Sequence, residues 1–107
     1  MYKIVFYVPE AQVEDVKNVL FAVGAGRLGN YSHCCWQVLG QGQFMAHDQA
    51  TPFCGEKGQV HQEKEYYVEL ICPDSCIEEA IAALIAAHPY EEPAYQAWKL
   101  AYPQALG

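Results

Sequence analysis

The sequence predicts one α+β domain in which two β-α-β halves share a single antiparallel sheet, with both helices on one face. The first observation behind this prediction is an internal repeat, in which residues 2–10 match residues 66–74 at an offset of 64 residues. The second is that each run alternates in hydrophobicity, as a strand with one buried face does, and is followed by an amphipathic stretch of helical period. A repeat of this length is typical of two pseudo-symmetric halves rather than of a solenoid.

The elements follow one another in the same order in both halves. Val13, Val16 and Leu20 have the spacing of one helix face. In the second half, Ser75 and Glu78 have the spacing of a capping box, so we expect a helix to begin there. The predicted elements are strands near 2–8, 34–40, 64–72 and 94–100 and helices near 10–23 and 75–88. The order β-α-β-β-α-β is that of the ferredoxin-like sandwich.

Strand alternation also assigns side chains to the two faces of the sheet. We expect Cys34, Trp36 and Val38 to face the helices together with Cys72, with the two thiols close together and reduced. The opposite face carries no helix, is half apolar and is rich in tyrosine, a composition found at interfaces. We therefore expect a homo-oligomer, a trimer or a dimer, that covers this open face. The residues predicted on it are Lys3, Val5, Tyr7, Cys35, Gln37, Leu39, Tyr67, Ile71, Tyr95 and Ala97.

Composition and charge narrow the classes of partner. The chain of 107 residues suits one domain, 1–107, and no apolar run approaches the roughly 20 residues that span a bilayer. The net charge of −7, from 6 Lys+Arg against 13 Asp+Glu, disfavours binding to nucleic acid or to an anionic membrane. The N-terminal run has no signal-peptide pattern, and the 5 cysteines are an odd number. These features predict a cytoplasmic protein with reduced thiols.

Residues 40–62 interrupt the periodic pattern. This stretch is rich in glycine and has weak periodicity, so we predict a long loop with at most a short edge pairing around residues 43–45. A loop of this length inside a compact domain is commonly functional.

Four segments carry a resemblance to a known family. They are GNYSHCCW at 29–36, GQF at 42–44, PFCG at 52–55 and HPYEEPAY at 88–95. Together they resemble the YqfO-like domain, a PII/CutA-like module that also occurs as an insert in GTP cyclohydrolase 1 type 2 homologues. The last segment is also similar to a stretch of the CutA divalent-cation tolerance proteins. The resemblance implies a ferredoxin-like fold and a trimer. It implies no catalytic residue here, because the dinuclear metal ligands of the longer proteins belong to segments outside this domain.

The fold places the polar clusters at opposite ends of the sheet, roughly 20 Å apart. One end collects His88, Tyr90, Glu91 and Glu92, which are our candidate ligand-binding residues. His88 and Glu91 are also candidate metal ligands, since imidazole and carboxylate suit hard or borderline divalent ions. The structural alternative is a rigid turn that ends a helix. Loop residues available to this end are His47, Asp48, Cys54, Glu56 and His61.

The other end collects cysteines. His33 and Cys34 are a second pair of candidate metal ligands, because thiolate and imidazole suit zinc or copper(I). Adjacent Cys34 and Cys35 should point to opposite faces of a strand, and the sequence has no C-x-x-C motif. A buried, apolar role is therefore the stronger expectation for these cysteines.

No motif of nucleophilic or nucleotide chemistry stands in the right context. The G-x-G-x-x-G at residues 24–29 follows a helix instead of a strand, and no G-x-S-x-G elbow is present. We therefore predict a non-enzymatic, oligomeric binding or regulatory module for a small ligand or a divalent metal. One alternative is an accessory or vestigial fragment of the GTP-cyclohydrolase-like metal hydrolase system that acts by docking to a partner. Another is a metal-handling protein of the CutA kind.

Overall fold

A computed structural model describes residues 1–102 of the chain. Its strands and helices are β1 (Tyr2–Pro9), α1 (Val13–Ala22), β2 (Trp36–Met45), β3 (Val60–Cys72), α2 (Ile77–Ala87) and β4 (Tyr95–Lys99). The strands form one antiparallel sheet in the order β2-β3-β1-β4. The predicted α+β fold, with its β-α-β-β-α-β order, is therefore confirmed. No helix in this part of the chain combines the length and the apolar character needed to cross a bilayer.

The two halves match in backbone detail. Pro9 and Pro73 have nearly the same φ, −55° and −58°, and each leads through a 3₁₀ turn of three residues into its helix. The proline suits this place because its fixed φ is compatible with the start of a helix. The predicted capping box is wrong, since the cap of α2 has no side-chain hydrogen bond. The helix begins only at Ile77, after the 3₁₀ turn, so Ser75 does not stand at the cap position.

The core lies between the helices and the sheet face that they cover. Alternate residues of β1 and β3 supply one side of it, as the predicted strand period requires. The Cys72 thiol is fully buried there, and burial, together with the nearby Cys76, raises its pKa to about 11. Cys72 is therefore a protonated, apolar core residue. The core residues are Ile4, Phe6, Val8, Val13, Val16, Leu20, Ala25, Val68, Leu70, Cys72, Ala80 and Leu84.

The face assignment of β2 was wrong by one residue. β2 pairs with β3 so that Gln37 lies opposite Val68, a core residue, and directly opposed residues share a face. It is Cys35, not Cys34, that packs against the core. The strand starts at Trp36 and not at residue 34, because the Cys34 N–H donates to the Gly26 carbonyl oxygen and not to β3, after His33 has turned the chain with a left-handed φ of 60°.

The same shift applies to β4 and changes the open face. Tyr95 lies opposite Phe6 and Ala97 opposite Ile4, so both are on the helix side. Trp98 and Trp36 lie on the open face instead, and their exposed fractions are 46% and 59%. The open face is thus more aromatic than predicted. Its large apolar residues are Val5, Tyr7, Trp36, Val38, Tyr67, Ile71 and Trp98.

One end of the sheet is shaped by the unequal lengths of β1 and β3. β1 pairs with residues 65–72 of β3, whereas residues 60–64 of β3 pair with β2 alone. Residues 41–45 and 60–64 therefore project past β1 as a two-stranded ribbon, which we call the hairpin overhang. The irregular stretch is shorter than predicted and covers residues 46–59, because the glycine- and glutamine-rich residues 40–45 continue β2.

The packing of α2 predicts that substitutions at two adjacent residues have different effects on stability. Leu84 is fully buried, whereas Ile85 is 46% exposed. Leu84→Ala should lower the free energy of unfolding by about 3 kcal/mol, because it removes buried methyl groups and leaves a cavity. Ile85→Ala, as the control, should lower it by less than about 1 kcal/mol. Urea unfolding measures both values, and equal losses would contradict the assignment of the helix faces.

Candidate functional site

A cavity of ≈520 Å³ lies where three segments meet. The segments are the hairpin overhang, the loop of residues 46–59 and the turn of residues 88–94, which joins α2 to β4. The size falls within the range of small-molecule sites. This is the junction at which the sequence predicted a ligand. The cavity is lined by, among others, Tyr7, Phe44, Phe53, Glu65, Tyr90, Glu91 and Glu92.

His88 holds the turn onto the end of β1. Its side chain is buried, its Nε2–H donates to the Tyr7 carbonyl oxygen at 2.6 Å, and its Nδ1 accepts from the Tyr90 backbone N–H at 3.1 Å. β4 pairs with β1 only as far as Phe6, so the imidazole takes the place of a strand partner at Tyr7. These two contacts correspond to the neutral, Nε2-protonated tautomer. Burial lowers the pKa of the ring, although the hydrogen bond to Tyr7 and the Glu65 carboxylate oppose this effect.

This geometry gives the His88 side chain a structural role, whereas the sequence analysis predicted a ligand-binding and metal-binding one. Both of its ring nitrogens are occupied by hydrogen bonds within the fold, and the ring is not among the groups that line the cavity. A metal ligand needs a free imidazole lone pair, and His88 offers none in this conformation. His88 therefore positions the turn, and the other three candidates, Tyr90, Glu91 and Glu92, face the cavity.

Tyr90 is the centre of an aromatic cluster that joins the three segments. Its ring centroid lies 5.8 Å from that of Phe44 in the hairpin overhang and 6.2 Å from that of Phe53 in the loop. Its hydroxyl donates to Glu65 Oε2 at 2.6 Å. Burial and this hydrogen bond raise the pKa of the phenol, so Tyr90 remains a neutral donor. Edge-to-face and tilted ring contacts of this kind stabilise a packed cluster.

The hydrogen bond of Glu65 depends on a glycine across the hairpin. A Cβ added at Gly42 would lie 1.8 Å from Glu65 Oε1, so the carboxylate occupies the space that any other residue would fill. Gly42 has ordinary strand geometry, so glycine is required at this position for space and not for an unusual backbone conformation. Gly42, one of the two glycines that made residues 40–45 look irregular in the sequence, thus allows Glu65 to reach Tyr90.

The loop is fastened to the turn by a main-chain contact. The Thr51 backbone N–H donates to Glu91 Oε1 at 2.8 Å, across 40 residues of sequence. Within the loop, the Gly58 N–H donates to the Ala46 carbonyl oxygen at 2.7 Å and closes its base. The structure thus brings Glu91 to the loop, as the predicted topology requires.

The cavity is acidic and aromatic. Three carboxylates, those of Glu65, Glu91 and Glu92, line it together with one imidazole, that of His47, and no lysine or arginine is among its lining residues in the described part of the chain. Carboxylates and aromatic faces attract cations, and phosphates need cationic groups or free backbone N–H donors. The lining therefore suits a cationic or neutral ligand and disfavours a phosphorylated one.

A second group of polar side chains lies beside the cavity. Within residues 1–102, the one set of three His, Cys, Asp or Glu donors within 4.8 Å of one another is Cys54, His61 and Glu63. His61 Nε2 lies 2.8 Å from Glu63 Oε2, and these contacts lower the pKa of Glu63. Partial burial and the neighbouring Glu63 raise the pKa of the Cys54 thiol. A histidine and a glutamate two residues apart in a strand lie on the same face. With β3 starting at Val60, the pair His61 and Glu63 would therefore have been predicted to lie side by side.

His33 and Cys34 lie at the opposite end of the sheet. The Cys34 N–H bonds to the Gly26 carbonyl oxygen, and the Gly26 N–H bonds to that of Ile71 near the end of β3. His33 is exposed, and its ring packs against that of Phe21 in a tilted contact with a centroid distance of 4.8 Å. The candidate metal ligands of the two ends are thus far apart, and neither His33 nor Cys34 joins a set of three donors within the described residues.

Comparisons with known proteins give relatives of greater length. No protein-family model matches the chain. The chain is 48% identical over 101 residues to the GTP cyclohydrolase 1 type 2 homolog of Mycobacterium tuberculosis, and 42% identical over 93 residues to that of Bacillus subtilis. These matches cover 94% and 87% of this chain but 27% and 25% of the relatives. The chain therefore spans about a quarter of the length of the curated relatives it matches.

Solved structures include one longer relative and several proteins of similar length. A Bacillus cereus protein related to NIF3 matches with a TM-score of 0.76 and 38% identity, over 94% of this chain and 26% of that one. CutA1 from Pyrococcus horikoshii matches with a TM-score of 0.69 over 97% of this chain and 87% of its own, at 16% identity, which shows a likeness of fold alone. The chain is thus similar in sequence to one segment of NIF3-related GTP cyclohydrolase 1 type 2 homologs, and it has a PII/CutA-like fold.

Proposed function

We propose that this chain is a non-enzymatic, self-associating module that binds a small ligand in the cavity between the turn of residues 88–94 and the loop of residues 46–59. The observation that carries the proposal is the cavity itself. Segments from three separate parts of the chain enclose it, and Tyr90 and Glu91 tie them together by ring contacts and a hydrogen bond. A concave, largely apolar pocket with a few polar groups is the usual form of a ligand site, and this cavity has that form.

The lining supports a small aromatic or apolar cation as the ligand. The rings of Phe44, Phe53 and Tyr90 offer flat faces, and Glu91 and Glu92 supply negative charge at the rim. Such a cation gains both from the rings and from the carboxylates. The Tyr90 hydroxyl donates to Glu65 within the fold, and burial with this hydrogen bond raises the pKa of the phenol, so the pair shapes the pocket as a neutral donor and its acceptor. Binding rather than catalysis is the chemistry that this arrangement suits.

The open face supports self-association. Trp36 and Val38 lie on it along the edge strand β2 and Trp98 on the other edge strand, β4, and all three are between 46% and 59% exposed. Monomeric proteins rarely expose a contiguous apolar face of this kind, and tryptophan is enriched at the centres of interfaces. The Lys3–Glu69 ion pair on this face, 2.6 Å from Nζ to Oε2, is satisfied within the chain and could be covered without stranding a charge.

The similarity to longer proteins favours a second candidate function. Because the chain matches about a quarter of proteins named GTP cyclohydrolase 1 type 2 homolog, it could serve as an accessory part of such a system and act by docking to a partner. A CutA-like role in divalent metal handling is favoured by neighbours such as the divalent cation tolerance protein CutA from Archaeoglobus fulgidus, a similarity of fold alone. Neither candidate needs the cavity to hold an organic ligand, and this separates them from the main proposal.

The cavity proposal predicts selective binding of an aromatic cation. Calorimetry with tyramine, an aromatic ammonium, should show saturable binding, whereas AMP should show none. The Glu91→Gln, Glu92→Gln double variant should bind tyramine roughly tenfold more weakly, a loss of about 1.4 kcal/mol. Glutamine keeps an oxygen that can accept from Thr51, so the loop contact is retained.

The matched control removes two charges elsewhere. Glu78→Gln, Glu79→Gln lies on the exposed start of α2 and should leave tyramine binding unchanged. Equal weakening by both double variants would assign the effect to overall charge. Preferential binding of AMP, or no binding of either compound, would contradict the proposed ligand class.

The open-face proposal predicts a mass above that of one chain. Light scattering at micromolar concentration should show an oligomer, and Trp98→Glu should reduce it to the 12.0 kDa monomer by placing a charge in the interface. Ile85→Glu is the control, because Ile85 has the same 46% exposure as Trp98 but lies on the helix side. A monomeric unaltered protein, or dissociation caused equally by Ile85→Glu, would remove the open face as the interface.

A further inference from the structure

The group formed by Cys54, His61 and Glu63 brings together side chains from an irregular loop and from a strand. Cys54 comes from the loop of residues 46–59, whereas His61 and Glu63 stand on the same face of β3, in the hairpin overhang. Their donor atoms, one sulfur, one nitrogen and one oxygen, all lie within 4.8 Å of one another. The ligand atoms of a tetrahedral zinc centre, with bonds of about 2.0–2.3 Å, lie in this range of separations.

The backbone holds the loop against β3 at this place. Gly55, the residue after Cys54, has a φ of +84°, which side-chain-bearing residues rarely adopt. A Cβ added there would lie 2.9 Å from both Cβ and Cγ of His61. The absence of a side chain at Gly55 is therefore what lets the loop pass close enough for Cys54 to meet His61. The approach is fixed by the main chain and does not depend on long, mobile side chains.

We propose that Cys54, His61 and Glu63 bind one borderline divalent metal ion, of which Zn²⁺ is the best match. Sulfur, imidazole and carboxylate together favour zinc over the hard ions magnesium and calcium, which prefer oxygen ligands. Three protein ligands leave a fourth position for water. None of the three residues lines the cavity, so this site is separate from the ligand site proposed above and does not rest on it.

The metal would act on the cavity through the loop. Phe53 directly precedes Cys54, lines the cavity and places its ring 6.2 Å from that of Tyr90. An ion that ties Cys54 to β3 therefore also holds the wall that Phe53 forms. The site couples metal binding to the order of residues 46–59, which is a regulatory role rather than a catalytic one.

The test titrates metal-free, untagged protein with Zn²⁺ in competition with a chromophoric chelator, and separately with Co²⁺ as a spectroscopic probe. One equivalent should bind per chain, and the Co²⁺ form should show a thiolate-to-metal charge-transfer band. Cys54→Ser should abolish this band, and both Cys54→Ser and His61→Gln should weaken Zn²⁺ binding by more than 100-fold. This loss exceeds the roughly 10- to 100-fold cost of removing an outer partner of a metal ligand.

Matched controls use the same residue types at the other end of the sheet. Cys34→Ser and His33→Gln should leave both the stoichiometry and the charge-transfer band unchanged. A band that persists in Cys54→Ser, a loss of binding in Cys34→Ser, or the absence of a one-to-one complex in the unaltered protein would overturn the proposal. Far-ultraviolet circular dichroism checks that each variant is folded.

A second readout follows the loop itself. Zn²⁺ should slow limited proteolysis within residues 46–59 of the unaltered protein at least several-fold and should have no effect in Cys54→Ser. Protection that is the same in both proteins would contradict the role of Cys54 as the link. Because tyramine plays no part in these experiments, their failure and a failure of the ligand-binding proposal can be told apart.

Discussion

The candidate site depends on one buried, neutral histidine. β1 runs past the end of β4, and His88 supplies the hydrogen bond to Tyr7 that the missing strand would otherwise provide. The same ring accepts the Tyr90 N–H, so the turn after α2 is held at a fixed position over the sheet. If the ring were protonated, Nε2–H could still donate to Tyr7, but Nδ1 would become a donor facing the Tyr90 N–H, so the placement of Tyr90 would be lost. The cavity, the aromatic cluster and the contact between Glu91 and the loop all follow from this placement.

The open face and the cavity are neighbours rather than independent features. Tyr7 lines the cavity, and its ring lies 5.5 Å from that of Tyr67 on the open face. A second copy that covers the open face would therefore lie beside the mouth of the cavity. The hairpin overhang extends the sheet at this same end, and the proposed metal site ties the loop to it. The proposed association, ligand binding and metal binding would thus influence one another through a few shared side chains.

The order of elements and both helices were predictable because the two halves repeat a strong local pattern, in which alternate residues of β1 and β3, such as Ile4, Phe6 and Val8 in β1, are buried. The face that each residue of the edge strand β2 occupies was not predictable, since apolar residues such as Val38 and Leu39 occur on both of its faces. Only pairing with β3 sets its register. The predicted length of the loop was too great because the glycines at 40 and 42 weaken the hydrophobic alternation of β2, which continues to Met45. At the site, Tyr90 to Glu92 could be predicted from their clustering in sequence. The role of His88 could not, because it depends on β4 beginning only at Tyr95, opposite Phe6.

The protonation state of the His88 ring, followed by ¹H–¹⁵N NMR across pH, tests this dependence most directly. We expect the neutral Nε2–H tautomer and a pKa below the ordinary value of about 6.5. The unfolded chain then takes up a proton that the folded chain does not, so the free energy of unfolding should fall as the pH drops below about 6.5. This part of the pH dependence should be absent in His88→Gln and retained in His47→Gln, which alters an exposed histidine. An Nδ1–H tautomer, or a His88 ring that titrates at or above its ordinary pKa, would contradict the anchoring role.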